Sequence, residues 1–181
     1  PMKPLGCYGD GGAIFTNNKG YADALKEIRV HGQTKKYIHS RIGINGRLDT
    51  IQAAVLLAKL KIFDQEIELR NNIGNTYSNK INSTYNNIKA PKILENYKSV
   101  YAQYTVKVKK REMLQNIFER YKIPSAIYYP SALNKQDVFL DQNTSCSVAE
   151  SLANEVLSIP MHPYLEEKEI DIIVRTISKN I

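Results

Sequence analysis

The sequence predicts an α/β protein in two parts that are joined by a long helix. Three observations lead to this prediction: glycines are dense near the start, apolar residues recur at helical spacing through the middle, and strand and helix patterns alternate in the second half. We expect residues 1–65 to form the end of a larger domain with the linking helix, and residues 66–181 to form a small α/β domain. Because no strand precedes the glycine-rich segment, we expect the C-terminal part of a longer polypeptide.

The composition is that of a globular protein. Hydrophobic residues make up 43% of the 181 residues and charged residues 24%, which excludes a disordered or collagen-like chain. Lys and Arg number 25 against 18 Asp and Glu, so the formal net charge is +7. The basic residues are scattered, with no long stretch of interleaved aromatic and basic residues, so we expect a solvated lysine-rich surface and no nucleic-acid partner. A small anion such as a phosphate or diphosphate is compatible with this charge.

Several other classes of protein are excluded on sequence grounds. The longest apolar run, residues 53–58, is far shorter than the ~20 residues that cross a bilayer, so no membrane span is expected. Cys7 and Cys146 match no metal spacing and no disulfide framework. With no basic-then-apolar leader at the start, the expected location is the reducing cytoplasm, and no metal site is expected.

The first third of the chain reads as a glycine-rich turn, a short strand, a helix and a loop. Residues 5–18 contain four of the nine glycines and lead into a predicted strand at 13–16. Residues 21–30 alternate apolar and charged positions at helical spacing and end at His31-Gly32, a usual helix stop. Residues 33–46 have no strong period, so we predict a loop there.

The remaining elements follow from periodicity. A long helix is predicted from residue 48 to residue 81, with a bend or break that we attribute to Gly74, and residues 82–98 are predicted to be a surface loop. The second half is then predicted to contain strands at 101–108 and 126–129, helices at 111–122, 147–157 and 166–178, and a short extended segment at 158–160.

Lys3 is the first candidate for chemistry. It directly precedes Pro4 and a run of glycines, so the path of its backbone is constrained. A lysine that is held in this way and desolvated becomes an amine nucleophile able to form a Schiff base. The alternative is a solvated surface lysine beside a turn, and spacing alone favours that alternative.

Several sequence motifs favour the reactive lysine over the solvated one. Residues 3–12, KPLGCYGDGG, resemble the lysine motif of the DegT/DnrJ/EryC1/StrS aminotransferases, a family of pyridoxal-phosphate-dependent nucleotide-sugar aminotransferases. Further matching blocks occur in the family's order at 31–33, 43–54, 128–136 and 157–163, so the resemblance covers essentially the whole chain. It implies a fold-type I aminotransferase, with the C-terminal remnant of the large cofactor-binding domain followed by the small α/β domain.

Two segments, 99–106 and 133–136, resemble the branch of UDP-2-acetamido-2-deoxy-3-oxo-glucuronate aminotransferases in particular. This resemblance implies transfer of an amino group from glutamate to the keto carbon of a UDP-3-keto-GlcNAcA-like sugar, for a bacterial surface polysaccharide such as O-antigen. The alternatives are an aminotransferase acting on a 4-keto nucleotide sugar, or a non-catalytic fragment or sensor of the same fold. Dehydratases of the family usually lack the lysine, so Lys3 argues against them.

The family's residue roles map onto five positions. Lys3 would bond the aldehyde of pyridoxal 5'-phosphate and then move a proton as acid and base. Asn45 would reach the cofactor phosphate of the neighbouring subunit, which implies a homodimer with a shared active site; its alternative is a loop-capping role. Arg47 would bind the sugar's carboxylate, and its alternative is a salt bridge to Asp49 or Asp10.

The two tyrosines match the substrate side of the pocket. Tyr129 has a tyrosine counterpart in the family, whereas Tyr128 stands where the glucuronate branch commonly has His. This departure weakens the prediction of carboxylate specificity, because Tyr is uncharged near neutral pH. We predict structural roles for His162, for His31 as a helix cap, and for Cys7 as a small packed side chain.

Other parts that the chemistry needs lie before the lysine in the family. They are the carboxylate that pairs with the pyridine nitrogen, an aromatic stacking residue, and hydroxyls around the phosphate. Because the ring withdraws electrons poorly without that carboxylate, we expect these 181 residues alone not to catalyse transamination.

Overall fold

The computed structural model describes residues 3–139 and 144–178. The chain divides into two compact units, Pro1–Phe63 and Asp64–Ile181, which we call the N-terminal and C-terminal units. Both contain helices and short strands, so the architecture is mixed helix and sheet, as expected for the α/β class. That these units correspond to the two domains of the full protein stays a prediction.

The N-terminal unit contains two helices and a short hairpin. These elements are α1 at Lys19–Ile28, β1 at Gln33–Lys35, β2 at Ile38–His39 and α2 at Thr50–Leu60. Helix α1 begins where the side chain of Asn18 accepts the backbone N–H of Tyr21 at 3.1 Å, which satisfies one of the free amides of the first turn. It ends at Ile28, just before two residues with positive φ, His31 and Gly32.

Two predictions for this unit are wrong. Residues 13–16 are irregular rather than a strand, and Ile14 and Phe15 are 72% and 92% exposed. A strand is stabilised by hydrogen bonds to a neighbour, and no strand of the described residues pairs with this segment. Residues 33–46 were predicted to be a loop, yet they contain the β1–β2 hairpin.

In its described residues, the C-terminal unit contains four α-helices and a three-stranded antiparallel sheet. The elements are α3 at Phe63–Thr84, whose first residue closes the N-terminal unit, β3 at Ile88–Lys89, β4 at Tyr104–Val108, α4 at Arg111–Arg120, α5 at Ser147–Glu155, β5 at Val156–Ile159 and α6 at Glu167–Ser178. Strand β4 lies between its neighbours in the order β3-β4-β5.

The hydrophobic core lies in this C-terminal unit. Alternate residues of β4, Tyr104, Val106 and Val108, are buried, as the two-residue period of a strand requires. The ring of Tyr104 lies 4.9 Å from that of Tyr77 on α3. Burial raises the pKa of both phenols, so these hydroxyls stay neutral. The Tyr77 hydroxyl donates to the carbonyl of Pro160 at 3.1 Å, so it is buried with a partner.

The predicted long helix is interrupted, but not at Gly74. Helices α2 and α3 are separated at Lys61 and Ile62, and Gly74 lies in the middle of α3. A Cβ at Gly74 would overlap the ring of Tyr101, lying 2.6 Å from its Cδ2. Glycine is therefore needed here for the close approach of an aromatic ring, and the helix continues through it.

Other strand predictions differ in part. Residues 126–129 form no strand, and only Ala126 pairs with the sheet, through a two-way backbone bridge to Ser158 at 3.0 and 2.8 Å. The predicted loop at 82–98 includes β3, whose Ile88 is buried. The predicted extended segment at 158–160 lies partly in β5.

Candidate functional site

Lys3 opens onto a cleft in the N-terminal unit. The cleft has a volume of about 440 Å³ and is lined by the glycine-rich segment together with Asp10, Leu48 and Leu56. The side chain of Lys3 is exposed and forms no ion pair with the part of the chain that the structure describes. Its amine is therefore available to react with a molecule that enters the cleft.

The segment after Lys3 is held by side chains. Cys7 is 3% exposed, and its Sγ donates to the carbonyl of Gly9 at 3.0 Å, so it is packed as predicted. From α2, the Oε1 of Gln52 accepts the backbone N–H of Tyr8 at 2.7 Å. The Nζ of Lys59 donates to the carbonyl of Gly6 at 2.9 Å. Two points of this segment are thus fixed to one helix.

Asn45 and Arg47 lie on the loop that precedes α2. Backbone hydrogen bonds fix this loop to the end of α1: Ile44 donates to the carbonyl of Ile28 at 2.8 Å, and Gly46 donates to that of Arg29 at 2.8 Å. The loop lines a hollow of about 410 Å³ in which Asn45 and Arg47 are exposed. Leu48 lines both this hollow and the cleft of Lys3.

The two polar side chains of this loop contact each other. The Nε of Arg47 donates to the Oδ1 of Asn45 at 3.2 Å. Among the described residues Arg47 forms no salt bridge to Asp49 or Asp10, and the Asn45 side chain caps no backbone amide. Among the described residues, none accepts a hydrogen bond from the Nδ2 of Asn45 or from the remaining guanidinium N–H groups of Arg47, and such donors suit an anion.

A close crossing of backbones shapes the same loop. Gly32 has a φ of 72°, and a Cβ at Gly43 would lie 2.6 Å from the carbonyl oxygen of Ile28. A side chain at Gly43 would push residues 44–47 away from α1.

Tyr128 and Tyr129 belong to the C-terminal unit. Tyr128 is half-buried and lines a hollow of about 220 Å³ with Gln103 and Ser125. Tyr129 is 71% exposed, and the two rings meet edge to face with centroids 6.0 Å apart. The bridge between Ala126 and the sheet holds these tyrosines at the edge of β5.

The histidines have local structural contacts. The Nδ1 of His162 accepts the backbone N–H of Tyr164 at 3.3 Å. His31 has positive φ just after α1, and its carbonyl accepts from the Nδ1 of His39 at 2.8 Å. Both histidines thus have positions consistent with the predicted structural roles.

Two searches of the described ranges concern metal ions and membrane spans. Residues 3–139 and 144–178 contain no group of three or more His, Cys, Asp or Glu side chains that could hold a metal ion. In those same ranges, no helix combines the length and apolar character needed to span a membrane.

Gln52 and Lys59 are site residues that the sequence analysis missed. They are two of the three polar positions on the apolar helix TIQAAVLLAKL and lie seven residues apart. Seven residues make about two helical turns, so both lie on one face. This spacing indicates that the two residues share a face of α2, but it does not identify the backbone groups that they contact.

The fold is that of a fold-type I aminotransferase. Residues 1–178 match the DegT/DnrJ/EryC1/StrS aminotransferase family. The chain belongs to this family, and the resemblance seen in its motifs is confirmed.

Curated relatives support this assignment. The UDP-2-acetamido-2-deoxy-3-oxo-D-glucuronate aminotransferase of Pseudomonas aeruginosa is 47% identical over 173 residues, which are 96% of this chain and 48% of that protein. A protein of Geobacillus stearothermophilus named pleiotropic regulatory protein is 37% identical over 99% of this chain and 49% of its own. The chain thus spans about half the length of the relatives it matches.

Solved structures have the same fold. A DegT DnrJ EryC1 StrS aminotransferase from Brucella abortus superposes with a TM-score of 0.91 at 42% identity, over 98% of this chain and 48% of that one. DesV of S. venezuelae, in complex with a ketimine intermediate, gives a TM-score of 0.92 at 29% identity with the same coverage.

Proposed function

We propose that this chain acts within a pyridoxal-phosphate-dependent aminotransferase that moves an amino group from glutamate to a keto carbon of a UDP-linked sugar. The observation on which this depends is the amine of Lys3, which has no ion-pair partner among the described residues and lies in a glycine-lined cleft, in a chain of an aminotransferase family. A primary amine is the group that bonds the aldehyde of this cofactor.

The residues present fit the cofactor. Lys3 supplies the amine, and four glycines line the cleft beside it: Gly6, Gly9, Gly11 and Gly12. A Cβ at Gly11 would lie 3.2 Å from the Sγ of Cys7, so a larger residue at this position would crowd the wall of the cleft. When bound, pyridoxal phosphate would withdraw electrons from the carbon that bears the amino group.

Each residue has a separate task in this proposal. Lys3 holds the cofactor and afterwards moves a proton to and from the carbon that exchanges its amino group. Asn45 donates its Nδ2–H groups to the phosphate of the neighbouring subunit's cofactor. The active site would therefore be shared within a homodimer.

Substrate recognition falls to Arg47 and the tyrosines. A guanidinium fork binds both oxygens of a sugar carboxylate, and the Arg47 guanidinium has N–H groups that Asn45 does not use. Tyr128 and Tyr129 offer hydroxyls to the sugar. With the P. aeruginosa relative named for a 3-oxo-glucuronate, we propose a UDP-3-keto-GlcNAcA-like substrate, used in the cytoplasm for surface polysaccharide.

A second candidate is a regulatory protein of the same fold. It is favoured by the name of the G. stearothermophilus relative and by Tyr128, which replaces the histidine expected in the glucuronate branch.

We also propose that these 181 residues alone do not turn over substrate. A transamination assay of this chain, with glutamate and the keto sugar, is expected to give no amino sugar.

A labelling experiment tests the role of Lys3. The complete protein is incubated with pyridoxal phosphate, reduced with borohydride and mapped by mass spectrometry. The label is expected on Lys3, and Lys3→Arg, which keeps the charge, is expected to lose it; the matched control Lys36→Arg is expected to keep it. A label on another residue, or none, contradicts the proposal. Labelling at Lys3 without turnover favours the regulatory candidate.

A further inference from the structure

We propose that Gln52 and Lys59 are positioning residues that hold the backbone carrying Lys3 and so set how readily its amine bonds the cofactor. The proposal rests on the proposed function, because it takes Lys3 as the reactive amine. Neither residue is assigned to the cofactor or the substrate; both act through the segment 3–12.

The two contacts lie close to Lys3 in sequence. Gln52 accepts the N–H of Tyr8 at 2.7 Å, and Lys59 donates to the carbonyl of Gly6 at 2.9 Å. Gly6 is three residues from Lys3, and Tyr8 is five residues from it. Because both side chains project from one face of α2, the segment is tied to a rigid element at two points.

The glycine-rich segment needs such ties. Glycine loses more conformational freedom on ordering than any other residue, so a run of glycines does not hold a defined path unaided. Packing adds to the hydrogen bonds: a Cβ at Gly9 would lie 3.5 Å from the Nε2 of Gln52, so the amide covers the segment closely. The contact between Lys59 and Gly6 is partly buried, which strengthens it over a fully solvated one.

One of the two hydrogen bonds has a charged donor. Lys59 presents a cation to a carbonyl oxygen, and hydrogen bonds that involve a charged group are stronger than those between neutral groups. A displacement of the reacting group by about 1 Å is sufficient to lower a rate about 100-fold. Loss of either hydrogen bond is therefore expected to slow the reaction of the Lys3 amine with the cofactor, although neither side chain acts on Lys3 directly.

The test uses paired variants of the complete protein. Gln52→Leu and Lys59→Met remove the hydrogen bond and keep the bulk, whereas Gln52→Glu keeps an acceptor and Lys59→Arg keeps a donor. The matched control is Lys61→Met, an exposed position just after the same helix. For each, the fraction of Lys3 labelled by borohydride is measured against pyridoxal phosphate concentration.

Gln52→Leu and Lys59→Met are each expected to raise the pyridoxal phosphate concentration at half-labelling about tenfold, corresponding to the loss of one hydrogen bond. The conservative variants and the control are expected to stay within about twofold of wild type. A merely structural role would instead lower the labelled plateau and the melting temperature. Amide exchange of a peptide covering residues 3–12 is expected to accelerate in Gln52→Leu, because the Tyr8 amide loses its acceptor.

Unchanged half-labelling in both Gln52→Leu and Lys59→Met overturns this proposal. Equal losses in Gln52→Leu and Gln52→Glu also overturn it, since the hydrogen bond would then not be the cause. A wild-type protein without label on Lys3 overturns the proposed function instead. The exchange measurement then decides alone whether α2 holds the segment.

Discussion

The side chains of Asn45 and Arg47 are hydrogen-bonded to each other: the Nε of Arg47 donates to the Oδ1 of Asn45 at 3.2 Å. This bond uses the Oδ1 of Asn45 and leaves its Nδ2–H groups for the proposed phosphate contact. Their motif suggested two separate tasks, one at the cofactor and one at the sugar. The structure adds that a change at Arg47 also frees the Asn45 amide to rotate.

Substitution of Arg47 by methionine is expected to reduce kcat/KM for a UDP-3-keto uronate about tenfold or more, because the carboxylate loses a charged hydrogen-bonding partner. The same sugar with a neutral hydroxymethyl group is expected to lose much less. The measurement is the ratio of the two kcat/KM values in the complete protein.

Lys36→Met removes another exposed positive charge of the N-terminal unit and serves as the matched control for Arg47→Met. An equal loss for both sugars would contradict carboxylate recognition and assign Arg47 to the positioning of Asn45. Arg47→Lys is expected to restore the preference only in part, since an ammonium lacks the planar fork.

At the scale of elements, α3 depends on the absence of a side chain at Gly74. Substitution by alanine is expected to lower the free energy of unfolding by about 1–3 kcal/mol, because the new methyl group overlaps the Tyr101 ring. Chemical denaturation followed by far-UV circular dichroism measures this loss. Asn75→Ala, at an exposed position on the same helix, is expected to leave stability unchanged or slightly raised. Equal stabilities of the two variants would show that the ring moves aside at no cost.

The contact between α3 and α6 contains a charge pair. The Nζ of Lys80 lies 2.6 Å from the Oδ1 of Asp171 and 3.2 Å from the Oε1 of Glu167, and Arg175 also faces Asp171 at 3.9 Å. The hydrogen bond between Lys80 and Asp171 lowers the pKa of Asp171 and raises that of Lys80. The pair thus links the two helices through ionised groups.

The stability from this pair is expected to depend on pH at both ends. The Asp171 contribution is present above the carboxyl's unfolded pKa and is lost as the pH falls through the lower folded pKa. The Lys80 contribution is present below the ammonium's unfolded pKa and is lost as the pH rises through the higher folded pKa. Melting temperatures across pH, compared with Lys80→Met, measure the dependence. A variant that keeps the full acid loss of wild type would show that other carboxylates cause it.

The helices could be predicted from sequence because their pattern is local. The predictions at 111–122, 147–157 and 166–178 each overlap the observed helix, with ends that differ by up to two residues. The strands at 13–16 and 126–129 were wrong, since pairing depends on a distant partner that periodicity does not reveal.

The same limit applies to the candidate site. Lys3, Asn45 and Arg47 were found through motifs that lie along the chain. The contacts of Gln52 and Lys59 join positions 44 and 53 residues apart, and nothing in the local pattern of α2 identifies Tyr8 and Gly6 as their partners.

At the scale of the whole molecule, the two units differ in what they bury. The core cluster runs from Ile73 to Ile177, so it belongs entirely to the C-terminal unit. Among the described residues of the N-terminal unit, Cys7 is the only buried hydrophobic side chain, and α2 has none. Burial of apolar surface is the main stabilising contribution to a fold, so the units should differ in autonomy.

We therefore expect residues 63–181, expressed alone, to fold cooperatively, with a single thermal transition and the near-ultraviolet signal of ordered tyrosines such as Tyr77 and Tyr104. Residues 1–62 alone are expected to show no cooperative transition, because they bury too little apolar surface to offset the entropy of ordering. Calorimetry and amide exchange on both pieces measure this. Phe118→Ala, which removes a fully buried ring, is the control expected to abolish or sharply lower the transition of the larger piece. An unfolded 63–181 would mean that its core requires residues 1–62, and the division into autonomous domains would then be wrong.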